Sequence, residues 1–168
     1  MTEVWSFGPV TEADFEPLLA IRTDVMREHL ERVGRYTPER SRRMFRGHFD
    51  EPGTRLILQE GVRVGCVGFR KHDHEIRIDS FYLERGLHGS GLGTVILKAL
   101  LAEADATGLP VRLEVLTGSK ADRLYLRHGF VKLREDEIEG FYERPAAGHS
   151  IAALMPVDAP EAEWENLQ

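Results

Sequence analysis

The sequence predicts an α+β fold built on a mixed sheet, and three observations lead to this class. The middle of the 168-residue chain alternates apolar and polar side chains with a period of two between tight turns, which indicates antiparallel hairpins. Helical patterns precede and follow the hairpins, and helices that connect strands bring parallel pairing into a sheet. A composition of 42% apolar and 30% charged residues fits one globular domain.

The N-terminal part predicts one short strand and two helices. The strand is Val4–Phe7, and Thr11 follows as the N-cap of a helix with acidic side chains in its first turn, where the helix dipole favours them. A stripe of apolar residues continues this helix to about Val33. Pro38 stands at the first position of the second helix, which we expect to end near Phe49.

The rest of the domain predicts six strands and two further helices. Gly91 begins a helix that runs to about Thr107, and the second of these helices is Ser119–His128, with Gly129 as its C-cap glycine. The predicted strands are, in order, Arg55–Gln59, Val62–Arg70, Glu75–Leu83, Val111–Thr117, Phe130–Arg134 and Ile138–Arg144.

A change of composition marks the predicted end of the domain. Residues 1–145 form a single domain, and residues 146–168 form a tail that is first rich in Ala and Pro and then acidic. We expect the apolar segment Ile151–Met155 of this tail to pack on the domain.

Composition and charge exclude several classes of protein. The net charge is −6, from 22 basic and 28 acidic side chains, so the broad basic surface of a nucleic-acid-binding protein is missing. The single cysteine, Cys66, excludes an internal disulfide framework and is expected to be a small buried hydrophobic residue. No apolar run approaches the ~20 residues that span a bilayer, and the first residues lack the pattern of an export signal. We therefore expect a cytoplasmic protein without nucleic-acid or membrane partners.

The strongest chemical signal is a glycine-rich segment between a predicted strand and a predicted helix. Residues 88–94 have the sequence HGSGLGT, with glycine at every second position. Glycine allows a tight bend and a close approach of ligand to backbone. The N–H groups and positive dipole end of the following helix favour a phosphate or pyrophosphate. A flexible turn without a ligand is the alternative.

Two other phosphate-binding motifs fit this segment less well. A P-loop requires a Gly-Lys-Ser/Thr ending, which is absent. A dinucleotide-binding motif requires its third glycine one place later, and the preceding strands are joined by hairpins. Glu114 nevertheless lies near the distance expected for the acid of that motif, so the dinucleotide hypothesis stays open.

Two segments together resemble the GNAT N-acetyltransferase superfamily. The family signature Gln/Arg-x-x-Gly-x-Gly/Ala is similar to residues 88–93, with His88 at its first position. The family segment Ala-x-x-Leu-Tyr-x-x-x-Gly-Phe is similar to ADRLYLRHGF, residues 121–130. The resemblance covers about residues 55–144. It implies a three-layer α/β/α fold whose mixed, mostly antiparallel sheet has about seven strands, with a V-shaped splay between the fourth and fifth.

The resemblance also implies which residues bind acetyl-CoA and which one donates a proton. Main-chain groups of Phe81 and Leu83 would bind the thioester and the pantetheine arm, and Tyr125 would protonate the departing thiolate. The spacing of Tyr125 alone fits a core aromatic residue equally well. The expected cofactor-binding residues are Phe81, Leu83, His88, Gly89, Ser90, Gly91, Leu92, Gly93, Thr94 and Ser119.

The base that accepts the amine proton is expected on the strand before the glycine segment. Alternation places Glu75, Arg77 and Asp79 on one face of this strand. We expect Asp79 to act as the base, with Glu75 or water alone as alternatives, and an ion pair with a nearby arginine as its structural alternative. The run His72-Asp73-His74-Glu75 occupies a turn in which four adjacent side chains cannot converge, so we expect no metal.

The resemblance implies an N-acetyltransferase that moves an acetyl group from acetyl-CoA to a primary amine by direct attack in a ternary complex. The acceptor, a small molecule or a peptide, would approach from the side of the first two helices. A non-catalytic acyl-CoA-binding regulatory module is the alternative. Members of this family often dimerise, so a homodimer is among the expected states.

Overall fold

The chain folds as a seven-stranded sheet with helices on both faces. A computed structural model describes residues 4–148, so the predicted segment Ile151–Met155 lies outside the described residues. The elements are β1 (Trp5–Pro9), α1 (Phe15–Arg32), α2 (Pro38–Asp50), β2 (Thr54–Gln59), β3 (Val62–Lys71), β4 (Ile76–Leu83), α3 (Leu92–Asp105), β5 (Val111–Leu116), α4 (Asp122–Leu126), β6 (Val131–Glu135) and β7 (Glu139–Arg144).

The sheet is mixed and mostly antiparallel, as predicted. Its strand order is β1-β2-β3-β4-β5-β7-β6. The pair formed by β4 and β5 is parallel, and the other five pairs are antiparallel. The connection from β4 to β5 runs through α3, because parallel neighbours need a crossover.

Each face of the sheet has its own hydrophobic core. On the α3 face, Ile96 of α3 and Val67 of β3 are completely buried in the larger core. On the opposite face, which we call the α1/α2 face, Phe15 stacks on Phe45 with ring centroids 5.6 Å apart, and Cys66 packs against them from the sheet. Neighbouring residues of β3 thus enter different cores, as the two-residue period of a strand requires.

Two helices differ from their predicted bounds. Thr11 begins a one-turn 3₁₀ helix, Glu12–Asp14, before α1. The predicted helix Ser119–His128 is reduced to the five residues of α4, because turns occupy both of its ends. In residues 4–148, no helix is both long enough and apolar enough to cross a bilayer.

A bulge in β4 changes the direction of this strand. Ser80 has φ of +48°, and the register between β3 and β4 shifts between Cys66 and Gly68. The thiol of Cys66 donates to the carbonyl of Ser80 at 3.3 Å. Burial, with a smaller contribution from Asp79, raises the pKa of this thiol to about 12. Cys66 is therefore a buried, protonated residue that holds the bulge, which confirms its prediction as a structural cysteine.

The strands β4 and β5 separate soon after they start. Their register contains only two pairs, Ile76 with Val111 and Arg77 with Arg112. Because a bulge bends the strand that carries it, β4 turns away from β5 beyond this point. The result is the predicted V-shaped splay between the fourth and fifth strands.

Candidate active site

Two cavities meet at the V between β4 and β5. The glycine-loop cavity, of about 650 Å³, lies between residues 88–94 and α4. The inner cavity, of about 210 Å³, lies between β4, β5 and the helices of the α1/α2 face. Phe81, Ala121 and Tyr125 line both cavities, so a molecule in one can contact a molecule in the other.

The glycine loop ends at the N-terminus of α3, where Gly91 is the N-cap residue and has no side chain to cap the helix. Gly89 and Gly91 have φ of +79° and +89°, a left-handed conformation that favours glycine. Apart from the adjacent residues of the loop, no described residue has an atom within 4 Å of a Cβ built at either position, so the loop faces open space. Within residues 4–148, the N–H groups of Gly91, Gly93 and Thr94 donate no hydrogen bond. This arrangement can bind an anion such as a pyrophosphate.

Two cationic side chains that the sequence analysis missed line the glycine-loop cavity. Lys120 and Arg127 flank α4, and neither forms an ion pair with another described residue. Both strengthen the attraction of this cavity for phosphate groups. Arg127 could have been predicted as a cavity residue from the sequence, because it lies two residues after Tyr125 in the segment that resembles the family.

Seven of the ten predicted cofactor-binding residues line the glycine-loop cavity: Phe81, Leu83, His88, Gly89, Gly91, Gly93 and Thr94. The other three have different positions. Ser90 donates its hydroxyl to the Leu87 carbonyl at 2.6 Å and accepts the N–H of Leu92, whose side chain is buried in the core of the α3 face. Ser119 accepts the N–H of Ala121 and lines the inner cavity.

The ring of His88 folds back onto the end of β4. Its Nε2 lies 3.0 Å from the carbonyl oxygen of Leu83, and only a protonated nitrogen can donate to a carbonyl. A neutral His88 then has no further N–H for a phosphate. The side chain of His88 contacts the end of β4, so the groups of the loop that remain available to an anion are those of its backbone.

The open edge of β4 carries the main-chain groups of Phe81 and Leu83. The N–H of Glu84 donates to the Val64 carbonyl of β3 at 2.9 Å, so Glu84 points towards β3. Successive residues of a strand direct their main-chain groups to alternate edges. Phe81 and Leu83 therefore direct theirs into the V, where an extended chain can pair with them.

Tyr125 lies where the two cavities join. Its ring packs edge-on against Phe130, with centroids 5.5 Å apart, and its hydroxyl has no hydrogen-bond partner among the described residues. Burial, and to a smaller extent Tyr82, raises the pKa of the phenol above its usual range. Tyr125 is therefore protonated at neutral pH, and it combines the packed ring of a core residue with a free proton donor.

Asp79 forms the ion pair that the sequence analysis considered as its structural alternative. Its two carboxylate oxygens accept from Nε and Nη2 of Arg70 at 2.7 and 2.8 Å. The side chain of Arg70 is only 2% exposed and also donates to the carbonyls of His48, Glu51 and Pro52. Asp79 does line the inner cavity, but its oxygens already hold a buried arginine. Its role as the base stays a prediction.

The alternative base, Glu75, is outside both cavities. It shares the α1/α2 face with Arg77 and Asp79, as predicted, and lies 3.2 Å from Nε of Arg112 in a separate cleft beside the β3–β4 turn.

Glu114 pairs with Arg77 in the inner cavity and does not line the glycine-loop cavity. It cannot serve as the acid of a dinucleotide site at this loop, so that hypothesis is wrong.

A group of potential metal ligands lies beside the buried arginine. Among residues 4–148, the ligand atoms of His48, Glu51 and Asp79 come within 4.8 Å of one another, whereas residues 72–75 form no such group. Arg70 forms ion pairs with both Glu51 and Asp79, so a cation already neutralises these carboxylates. The absence of a metal stays a prediction.

Comparison with known proteins connects this geometry with a family and a fold. The model of the acetyltransferase (GNAT) family matches residues 18–130. No curated protein sequence matches the chain.

Similar solved structures share this fold at low sequence identity. The PaiA N-acetyltransferase of Thermoplasma acidophilum, in complex with coenzyme A, has a TM-score of 0.67 at 13% identity, over 84% of this chain and 99% of its own. An acetyltransferase from Thermus thermophilus has a TM-score of 0.66 at 20% identity, covering 84% and 96%. An acyl-CoA N-acyltransferase from Pseudomonas aeruginosa has a TM-score of 0.60 at 21% identity, covering 86% and 100%.

Proposed function

Because the chain belongs to the GNAT acetyltransferase family, we propose that it transfers an acetyl group from acetyl-CoA to a primary amine. The acyl donor and the amine bind together, and the amine attacks the thioester directly. The observation that carries this proposal is the position of Tyr125, whose side chain lines both cavities. A transfer through a ternary complex needs two adjoining binding sites, and the two cavities that share Tyr125 support this proposal.

The residues of the glycine-loop cavity support binding of acetyl-CoA. Acetyl-CoA supplies an acetyl group activated as a thioester. The free N–H groups of Gly91, Gly93 and Thr94 would bind its pyrophosphate, with Lys120 and Arg127 as additional cations. A relative of similar fold is known in complex with coenzyme A, which supports the same ligand here.

The edge of β4 and Tyr125 would perform the chemistry at the thioester. The pantetheine arm would pair with the open edge of β4, and the main-chain N–H of Phe81 would stabilise the oxyanion that forms during attack. Tyr125, protonated at neutral pH, would donate its proton to the departing sulfur. The amine would come from the inner cavity, on the opposite side of the V.

Release of CoA from acetyl-CoA in the presence of amines tests this function. We expect thiol release above the rate without amine for at least one member of a panel that contains spermidine, lysine, kanamycin and a short peptide with a free N-terminus. Binding of acetyl-CoA without release in any of these reactions would contradict the proposal and favour the regulatory module. The folding of His88 onto Leu83, away from the anion site, is the observation that keeps this second candidate.

The substitution Gly93→Val is expected to lower acetyl-CoA affinity at least tenfold, or about 1.4 kcal/mol, with the fold retained. Gly93 has an ordinary helical conformation, and a Cβ there would meet only Leu83 at 3.7 Å, so the new side chain fills the cavity without straining the backbone. Calorimetric titration with acetyl-CoA measures the effect.

Gly86→Val is the matched control for this loop. Gly86 precedes the glycine segment, has open space around a Cβ and does not line the cavity, so its variant should bind as the wild type does. A folded Gly93→Val protein with wild-type affinity would remove the loop from the binding site.

A further inference from the structure

Three carboxylates line the inner cavity, and two of them are already in ion pairs. Asp79 is held by Arg70, and Glu114 is held by Arg77. The third, Glu139, forms no ion pair or side-chain hydrogen bond with any described residue. Glu139 is therefore the carboxylate that can accept a proton without first releasing an arginine.

The fold holds Glu139 in a defined position at the end of the V. Glu139 is the first residue of β7 and pairs with Leu116, the last residue of β5. The carboxylate of Asp136 accepts the N–H groups of both Ile138 and Glu139 at 2.8 Å, which fixes the turn before β7. Tyr125 lines the same cavity, so this cavity offers an amine both a free carboxylate and a free phenol.

We propose that Glu139 is the general base that removes a proton from the acceptor ammonium in the inner cavity. This inference rests on the proposed acetyl transfer. The Glu139 carboxylate takes one proton from the ammonium, and the nitrogen lone pair then forms the C–N bond to the thioester carbon. When the C–S bond breaks, Tyr125 gives its proton to the sulfur and recovers one from the nitrogen. The products are the amide and the free thiol, and Glu139 returns its proton to solvent.

The surroundings of Glu139 raise its pKa, which favours its action as a base. Desolvation is the largest effect, and together with the charges of Glu114 and Asp136 it raises the pKa of Glu139 to about 7, against the opposing charges of Arg77 and Arg134. A base is most effective when its pKa lies near the working pH.

The other titratable or charged groups of the inner cavity have different partners. Arg22 donates to Ser41 and Tyr82. The Nδ1 atom of His48 lies 3.8 Å from Asp79. Because an imidazole nitrogen can also accept a proton, an experiment must distinguish His48 from Glu139 as the base.

The test compares the pH dependence of kcat/KM for CoA release in the wild type and three variants, with the most active amine of the panel. We expect the wild-type value to level off above about pH 7. Glu139→Gln should lower kcat/KM about 10²-fold at neutral pH and remove this inflection, so that the rate keeps rising as free amine forms. The rate with hydroxylamine, which is already unprotonated at neutral pH, should fall much less.

Glu114→Gln is the matched control, with the same chemical change on the neighbouring strand. It removes a negative charge and frees Arg77, and both changes lower the pKa of Glu139, so its inflection should remain but move to lower pH. His48→Gln should keep the inflection near its wild-type position. Loss of the inflection in His48→Gln, or a wild-type profile in Glu139→Gln, would overturn the proposal.

Thermal unfolding supplies a readout that needs no acceptor. When the pKa of a carboxyl is higher in the folded than in the unfolded state, the folded protein loses stability as the pH rises. For Glu139 this loss occurs between the ordinary pKa of 4.5 and about 7. The Tm of the wild type should therefore fall relative to that of Glu139→Gln across this window. Above it, the difference between the two Tm values should stay constant. A pH-independent difference would overturn the assignment of Glu139. Failure of the wild type to release CoA with any amine would instead overturn the acetyl transfer itself, and the base with it.

Discussion

Tyr125→Phe is expected to lower kcat for CoA release by roughly 10²-fold, within the range for a positioned general acid. The change removes one hydroxyl that has no hydrogen-bond partner among the described residues and keeps the ring that packs on Phe130. Acetyl-CoA affinity and Tm should therefore stay close to the wild-type values. Steady-state kinetics, calorimetry and thermal unfolding of the same preparation measure the three quantities.

Tyr125→Ala separates the acid from a purely structural tyrosine. Removal of the ring should cost about 3 kcal/mol through the cavity it leaves, whichever role the hydroxyl has. If Tyr125 is only a core residue, Tyr125→Phe will be fully active and Tyr125→Ala alone will fail. A fully active Tyr125→Phe enzyme would therefore assign this residue to packing.

Asp79→Asn is expected to destabilise the fold by about 3 kcal/mol, which lowers the Tm by roughly 10 °C. The substitution leaves the charge of Arg70, which is only 2% exposed, without its main partner. The pH profile of kcat/KM should keep its inflection near neutral pH, because the proposed base is Glu139 and not Asp79.

A double-mutant cycle with Arg70→Met isolates the ion pair. The stability costs of Asp79→Asn and Arg70→Met should overlap strongly, since each breaks the same interaction. The opposite result has a clear signature: wild-type stability in Asp79→Asn, with a loss of about 10²-fold in kcat/KM that disappears at high pH. That outcome would make Asp79 the base, as the sequence analysis predicted.

Local patterns were sufficient to predict most elements of the fold. A run of period-two alternation between tight turns indicated β2, β3 and β4, and their bounds agree within one residue. The prediction failed for α4, where the same residues form turns at both ends of a five-residue helix. Helical propensity is weak over so short a stretch, and the surrounding connections decide where the helix begins and ends.

The candidate site was likewise predictable where it depends on local sequence and not where it depends on contacts between strands. Residues 88–94 alone predict the glycine loop, because glycines that allow a left-handed turn before a helix form a strong local pattern. The position of Asp79 on its strand predicts a base, but its charge partner, Arg70, lies on the neighbouring strand and reaches it through the pairing of β3 with β4. No local sequence pattern predicts which carboxylate an arginine will form an ion pair with.

The fold class and the glycine loop could be predicted from sequence, because each depends on residues that are close together in the chain, whereas the role of Tyr125 as an acid was implied only by the family resemblance. Which acid of the inner cavity has no ion pair among residues 4–148 depends on the packing of distant segments. Glu139 is far from the glycine loop in sequence, and only the pairing of β7 with β5 brings its carboxylate into the inner cavity. The same packing places arginines on Asp79 and Glu114, and no arginine of the described part of the chain forms an ion pair with Glu139. Burial and ion pairing depend on contacts between distant segments, so the chemical role of a carboxylate is set when the sheet assembles.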